Sequence, residues 1–358
     1  MHRERGLSKL YFVYQGFILL SSSSLSSADC GCSKISRKNV KLPYYFHGFE
    51  KNSTATCDFP SYEKIMETAG SYPRKGKMVL VKSGKFIMGN NDEDVYWQDG
   101  EDPERMVEVN SFWMDETAVT NEAFSVFVEE TKYVTLAEKF NDSMLFLHQL
   151  TEEGKQAKLG TPVAGVPWWV LANATNWRQP YGPGSSWEAL RDHPVVHVSW
   201  DDAVEYCKWA GKRLPTEAEW EFACRGGKTK KKFPWGNKLM PYGKHWMNVW
   251  QGSFPIDNTA EDGFTFTGPV RSYPKNDFGL FEMTGNVWEW VEDWWTNKHE
   301  KGTLKNPKGP KSGKDKVKKG GSFLCHRSYC HRYRCSARHF NTPDTSSSNM
   351  GFRCVRNT

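Results

Sequence analysis

Nine cysteines stand in this chain of 358 residues, and three of them crowd into one stretch, GGSFLCHRSYCHRYRCSARH. Cys325, Cys330 and Cys335 follow one another at intervals of five, among arginines, histidines and tyrosines. Residues five apart on a helix are about 140° out of line, because a turn takes 3.6 residues. On a strand an odd interval places them on opposite faces. Cys325 and Cys330 therefore meet only where the chain between them bends as a loop. Gly320 and Gly321, just upstream, permit close backbone approach there. Three chemistries suit such sulfurs. A zinc site calls for four ligands at short spacings such as C-x-x-C, which the chain lacks. Structural disulfides are the ordinary use of cysteine in an oxidising compartment. A reactive or metal-binding pair is the third: His326, Arg327, Arg332 and Arg334 are cationic neighbours of the kind that lower a thiol's pKa. Two thiolates without a further ligand suit Cu(I). The residues by themselves leave the second and third chemistries open.

The compartment is argued from the other end of the chain. MHRERGLSK is basic, LYFVYQGFILL is apolar, and SSSSLSSA ends in small residues. That order predicts a secretory signal peptide over 1–28, cut before Asp29. Its apolar run falls short of the roughly 20 residues that span a bilayer, and no later segment is a membrane candidate. Sequons at Asn52, Asn141 and Asn173 fit the secretory pathway. Hydrophobic content of 38% with 16 tryptophans argues for a folded core. The net charge of +6 is mild and concentrated in two lysine runs, which argues against a nucleic-acid binder. Residues 29–75 are polar and broken, with Cys30 and Cys32 in DCGC and Cys57 beyond, and read as an extension rather than core. The folded domain is expected over 76–358.

MVLVKSGKFIMGN predicts two short strands around Ser83 and Gly84, and MVEVNSFWMDETAVT a further strand pair. TNEAFSVFVEET predicts a helix capped by Thr120, with Phe124, Phe127 and Val128 on one stripe. Ser199 with Asp202, and Thr216 with Glu219, are capping boxes that open two more helices. The first carries Trp200, Ala203, Val204 and Cys207 on one stripe and stops at Gly211. The second turns Trp220, Ala223 and Cys224 to one face and closes at Gly226 and Gly227. Each thus directs a cysteine inward. The run from Lys298 to Lys319 is rich in Lys, Gly and Pro and predicts a long solvated loop.

With these residues in hand, the sequence resembles the formylglycine-generating enzyme family, the sulfatase-modifying factors of the endoplasmic reticulum. The likeness runs from Met78 to Cys354 and is carried by SGKFIMGN, HPVVHVSWDDAVEYCKWAGKRLPTEAEWEFACRGG, FPWGN, NVWQGSFP, EDGF, GNVWEW, KGGSFLCHRSYCHRYRC, NTPD and GFRC, in the family's order. It implies a single domain of the sulfatase-modifying-factor fold, a C-type-lectin-like α/β fold with little regular secondary structure. It implies oxidation of the cysteine of a CxPxR-type motif in newly made, unfolded sulfatases to Cα-formylglycine, using O2 and a thiol reductant. Cys325 and Cys330 match the pair that holds Cu(I), with the substrate thiol as a third ligand, and Ser322 matches the active-site serine. Cys207 with Cys354 and Cys224 with Cys335 match structural disulfides. Cys30 and Cys32 match a pair that exchanges thiols with oxidoreductase or retention partners, leaving a monomer or a disulfide-linked homodimer. The alternative is a non-catalytic, calcium-stabilised binding protein that modulates sulfatase maturation, like the family's paralogue without the reactive pair; CHRSYC argues against it. The iron sulfoxide synthases of the same fold need a histidine-rich site on an added domain that this sequence does not contain.

The likeness also implies two calcium sites and a cleft. Asn248, Asp262 and the carbonyls of Val249 and Phe264 match one site; Glu282, Glu289 and the carbonyls of Gly285 and Val287 match the other. Such mixed oxygen sets suit Ca2+. Asp142 and Ser143 match residues that grip the motif arginine, and Trp168, Trp288 and Tyr329 match aromatics lining the cleft. Three positions depart from the family. Ala118 stands where a glutamate is usual, so one acidic contact is missing or moved to Glu116. Glu282 stands for Asn or Asp, and Asn141 for glycine. Glycans are expected on Asn52 and Asn173, and none on Asn141, where one would crowd the cleft. The expected location is the lumen of the endoplasmic reticulum, with secretion left open because no retention tetrapeptide follows CVRNT.

Overall fold

The computed structural model describes Gly31, Lys34, Ile35, 76–92, 95–300 and 302–358; the segment 1–28, Cys30, Cys32, Asn52 and Cys57 lie outside the described residues. The first four strands form where their alternating apolar residues predict: β1 (Met78–Val81), β2 (Gly84–Met88), β3 (Arg105–Val109) and β4 (Phe112–Asp115). Neither short link joins two partners. β1 pairs antiparallel with β4, and β2 with β3. The two-residue links carry no Asn-Gly or Asp-Gly and do not fold back as hairpins. Each is a corner where the chain leaves one sheet for another, and the Ser83 N–H donates to Ser111 Oγ at 2.9 Å, fastening the corners together.

Five α-helices follow among the described residues: α1 (Asn121–Thr131), α2 (Leu136–Phe140), α3 (Glu152–Gln156), α4 (Trp200–Trp209) and α5 (Glu217–Arg225). Thr120 accepts the Ala123 N–H at the start of α1, and both halves of the capping box are made at α4 and at α5. The buried stripe of α4 centres on Ala203, Tyr206 and Cys207, while Trp200 and Val204 are half-buried. Tyr206 takes the inner place because its ring packs on Phe124 and Phe352. Both inward cysteines are bridged. Cys207 joins Cys354 across 147 residues, and Cys224 joins Cys335 across 111.

Two further sheets flank the CHRSYC segment. One runs β5 (Asp142–Phe146), β7 (Val166–Asn173), β6 (Gly160–Val163). The other runs β11 (Arg338–Asn341), β10 (Lys316–Lys319), β8 (Trp288–Trp294), β12 (Met350–Phe352), with β12 parallel to β8. The short β9 (Leu304–Lys305) adds to β3, and β13 (Val355–Asn357) adds to β4. β10 corrects the expectation of a solvated loop as far as Lys319, since all four of its residues are buried. Burial is possible because each ammonium finds electrons: Lys319 meets Glu221 and Glu217, Lys318 donates to Asn341 Oδ1, and Lys316 lies over Trp200 and Trp294.

The extension is likewise not wholly outside the core. Ile35 is fully buried and its carbonyl accepts from Asn341 Nδ2 at 2.9 Å. Among the described residues no helix is long and apolar enough to cross a membrane.

Candidate functional site

Gly320 and Gly321 turn the chain out of β10 with φ of +92° and +71°. A Cβ on Gly321 would lie 2.9 Å from Tyr333 Cα, so only glycine fits that turn. Cys325 N–H then donates to Ser322 O at 2.9 Å. The His326 carbonyl accepts both the Tyr329 N–H at 3.1 Å and the Cys330 N–H at 2.7 Å. That doubly closed turn is the bend the five-residue spacing demanded. Cys325 and Cys330 are unbridged, fully buried and in side-chain hydrogen-bond contact.

The charge state of Cys325 differs from expectation. Burial, then Cys330, pushes the Cys325 thiol well above its ordinary value, and the pull of Arg332 is smaller. Asp99 binds Arg332 at 2.5 and 3.1 Å, Glu101 binds the fully buried Arg334 at 2.7 and 2.5 Å, and Arg327 is exposed. His326 is itself held toward its neutral form by burial. In this dry place desolvation outweighs guanidinium groups that already have carboxylates. Two soft sulfurs screened from water suit a monovalent soft ion whose charge replaces the protons. Among the described residues no group of three or more His, Cys, Asp or Glu side chains is assembled for a metal.

Around the pair, Ser322 is fully buried, and its Oγ accepts from Leu324 N–H at 3.3 Å and from Asn349 Nδ2 at 3.0 Å. Tyr329 is half-buried and donates its hydroxyl to Leu324 O at 2.9 Å. Its ring lies 4.3 Å from that of Phe254, against which Trp168 stands edge-on at 5.6 Å. Trp168 and Tyr329 thus share a wall centred on Phe254, a residue the sequence reading passed over inside NVWQGSFP. Trp288 does not line an open surface. It is fully buried on β8, the central strand that pairs with both β10 and β12, with Lys318 4.7 Å above its ring. Its indole N–H is buried with no acceptor among the described residues.

Asp142 and Ser143 separate. Neighbours on a strand point to opposite faces, so both side chains cannot hold one guanidinium. Asp142 is half-buried at the start of β5, whereas Ser143 is fully buried, with its Oγ 2.7 Å from Ser346 Oγ and 2.8 Å from His197 Nδ1. Ser143 therefore supports the strand from beneath. Asn141 caps α2 with φ +55°, the conformation that glycine adopts without strain. Asn173 sits directly across the ladder from Asp142, so a glycan there would crowd the same edge as one on Asn141. Ala118 lies buried against Val196 and Val287. Glu116 does not replace its missing carboxylate in the cleft, because it is buried and paired with Arg271 and Lys77.

The first calcium set fits a cation. Asn248 Oδ1 is buried without a partner among the described residues. Burial raises the Asp262 carboxyl, which accepts from Gln251 Nε2 and the N–H groups of Phe264 and Val249. An orphaned oxygen beside a buried carboxyl that has N–H donors but, among the described residues, no cationic side chain bonded to it is what a hard cation would satisfy. The second set does not fit in the same way. Glu289 is clasped by Arg353 at 2.8 Å and by Trp220 Nε1 at 2.7 Å, and Arg353 also donates to Glu282 O at 3.3 Å. One of the four expected ligands, the Glu289 carboxylate, thus already carries a guanidinium. The Glu282 carboxyl, pushed up to about 7 by burial, accepts the Arg271 and Tyr273 N–H groups.

A profile of the sulfatase-modifying factor enzyme 1-like domain matches residues 64–358. A Bos taurus protein named formylglycine-generating enzyme is 55% identical over 328 residues, covering 91% of this chain and 85% of its own. A second Bos taurus protein, named inactive C-alpha-formylglycine-generating enzyme 2, is 42% identical over 281 residues, 78% of this chain and 87% of its own. Among solved structures, PvdO from Pseudomonas aeruginosa superposes with a TM-score of 0.55 at 25% identity, over 79% of this chain and 95% of its own.

Proposed function

From the premise that this chain belongs to the family of sulfatase-modifying factor enzyme 1-like domains, we propose that it oxidises the cysteine of a CxPxR-type motif in newly made, unfolded sulfatases to Cα-formylglycine. One observation carries the reading: Cys325 and Cys330 are neighbours, buried and unbridged. The identity to relatives named for this activity supports it.

Converting a cysteine methylene to an aldehyde, with release of sulfide, removes two electrons. Reducing O2 to water takes four, so two reductant thiols supply the other pair and leave as a disulfide. Cys325 and Cys330 would hold Cu(I), which would supply one-electron exchange with O2. The protein's own groups do the rest. Burial keeps water from the sulfurs, the Phe254 wall packs the peptide beside them, and Asp142 is a partner for the motif arginine. Ca2+ at Asn248, Val249, Asp262 and Phe264 would brace the loops behind the wall. Location in the endoplasmic reticulum lumen and thiol exchange through Cys30 and Cys32 complete the proposal.

The non-catalytic alternative predicts no reactive pair. Alkylation in denaturant without reductant should label Cys325 and Cys330 and spare Cys207, Cys224, Cys335 and Cys354. Cu(I)-loaded protein with a CxPxR peptide, air and dithiothreitol should yield an aldehyde, and Cys325→Ser or Cys330→Ser should abolish it while the protein stays folded. Unlabelled Cys325 and Cys330, or aldehyde from either variant, would sink the reading.

A further inference from the structure

Residues Thr345, Ser346, Ser347, Ser348 and Asn349 are all buried, the last four completely. Consecutive buried polar side chains are costly unless their groups are bonded. Those bonds lead to the proposed site from two sides. Toward β5, Ser346 Oγ meets Ser143 Oγ at 2.7 Å, the Ser346 carbonyl accepts from Met144 N–H at 3.1 Å, and Ser348 N–H donates to Met144 O at 2.9 Å. Toward the thiols, Trp288 N–H donates to Asn349 O at 2.8 Å, Ser347 Oγ donates to Asn349 Oδ1 at 2.9 Å, and Asn349 Nδ2 donates to Ser322 Oγ at 3.0 Å.

A hydroxyl oxygen carries two lone pairs and one hydrogen. At Ser322 both lone pairs face N–H donors, from Asn349 and Leu324, and no acceptor among the described residues takes its hydrogen. We propose that Asn349 is a positioning residue: by donating to Ser322 Oγ it makes Ser322 a one-way hydrogen-bond donor, whose hydrogen is left for an oxygen that gains negative charge as O2 is reduced. Ser347 sets the direction, since its hydroxyl holds the Oδ1 end of the amide and leaves the Nδ2 end for Ser322. Reversed, the amide would capture the Ser322 hydrogen itself. This inference rests on the oxidase reading of the thiol pair.

Asn349→Asp replaces that donor with an acceptor at almost unchanged volume. Turnover of a CxPxR peptide should fall about 10²-fold, the scale of losing one preorganised donor, with peptide KM within twofold of the parent. Cu(I) affinity, read by competition with a chromophoric chelator, and melting temperature should hold. Ser322→Ala should lose a similar factor, and the double variant no more than either alone. Should Asn349→Asp not fold, Ser347→Ala releases only the orientation of the amide; it should slow turnover several-fold in the parent background and not at all in Ser322→Ala. Additive losses, or Cu(I) affinity falling in step with turnover, would overturn the role of Asn349. Parent protein that makes no aldehyde would overturn the oxidase reading itself.

Discussion

Asp142 and Ser143 show how adjacent residues divide their work when a strand alternates its faces. Asp142 holds its carboxylate half-buried at the start of β5, while Ser143 joins His197 and Ser346 below it. Asp142→Asn should therefore raise peptide KM by about 10-fold or more with little change in kcat, since a charge-assisted bond contributes about 1.5–3 kcal/mol. Ser143→Ala should do the reverse, leaving KM near the parent value and lowering unfolding free energy by about 1–3 kcal/mol through unsatisfied buried partners. Steady-state kinetics beside urea denaturation separates the two. A KM effect confined to Ser143→Ala would contradict the assignment. Burial likewise governs Cys325, whose thiol it raises against the smaller pull of Arg332.

At the scale of elements, β8 and α5 are coupled through one buried carboxyl. Asp293 accepts the Glu217 N–H at 2.8 Å where α5 begins, and the Gly309 N–H at 2.6 Å from the lysine-rich loop. Burial, then the charge of Glu217, pushes its pKa from 3.8 up to about 7. The folded state therefore holds a proton between pH 4 and 7 that the unfolded chain has released. This contribution is fully present below pH 4 and lost as pH rises through 7, by about 4 kcal/mol in total. Asp293→Asn cannot titrate, so the parent's stability relative to this variant should decline across that window. Chemical denaturation at pH 5 and pH 7.5 measures it; a pH-independent difference would count against the coupling. Elements with strong local signals formed as expected. Thr120, Ser199 and Thr216 cap their helices because a side chain and a backbone N–H three residues away meet whatever lies beyond.

For the whole molecule, the Cys207–Cys354 bridge closes a loop of 147 residues, from α4 to the turn between β12 and β13. In the chain-entropy picture a loop of that length is worth about 5 kcal/mol. Replacing both cysteines by alanine should lower the urea midpoint accordingly, without changing the count of alkylatable thiols at Cys325 and Cys330. A variant that melts like the parent would show that the rest of the single α/β domain constrains the ends on its own. That domain is stitched by pairings between distant segments: β4 with β1 and β13, β8 with β10 and β12.

Reading residues in order was enough for whatever local geometry determines: the helices and their caps, the strand positions, the need for a bend between Cys325 and Cys330, and, through resemblance, the family. Long-range placement was not legible there. β1 turned a corner instead of folding back, Lys316–Lys319 became an interior strand, Trp288 joined the core, and Glu289 paired with Arg353. Asn349 and its serines looked like any polar turn until their bonds to β5 and Ser322 appeared. Caps and periodicities depend on separations of a few residues. Burial, partner choice and the protonation of a thiol depend on which distant segments exclude water from a group, and only the folded chain decides that.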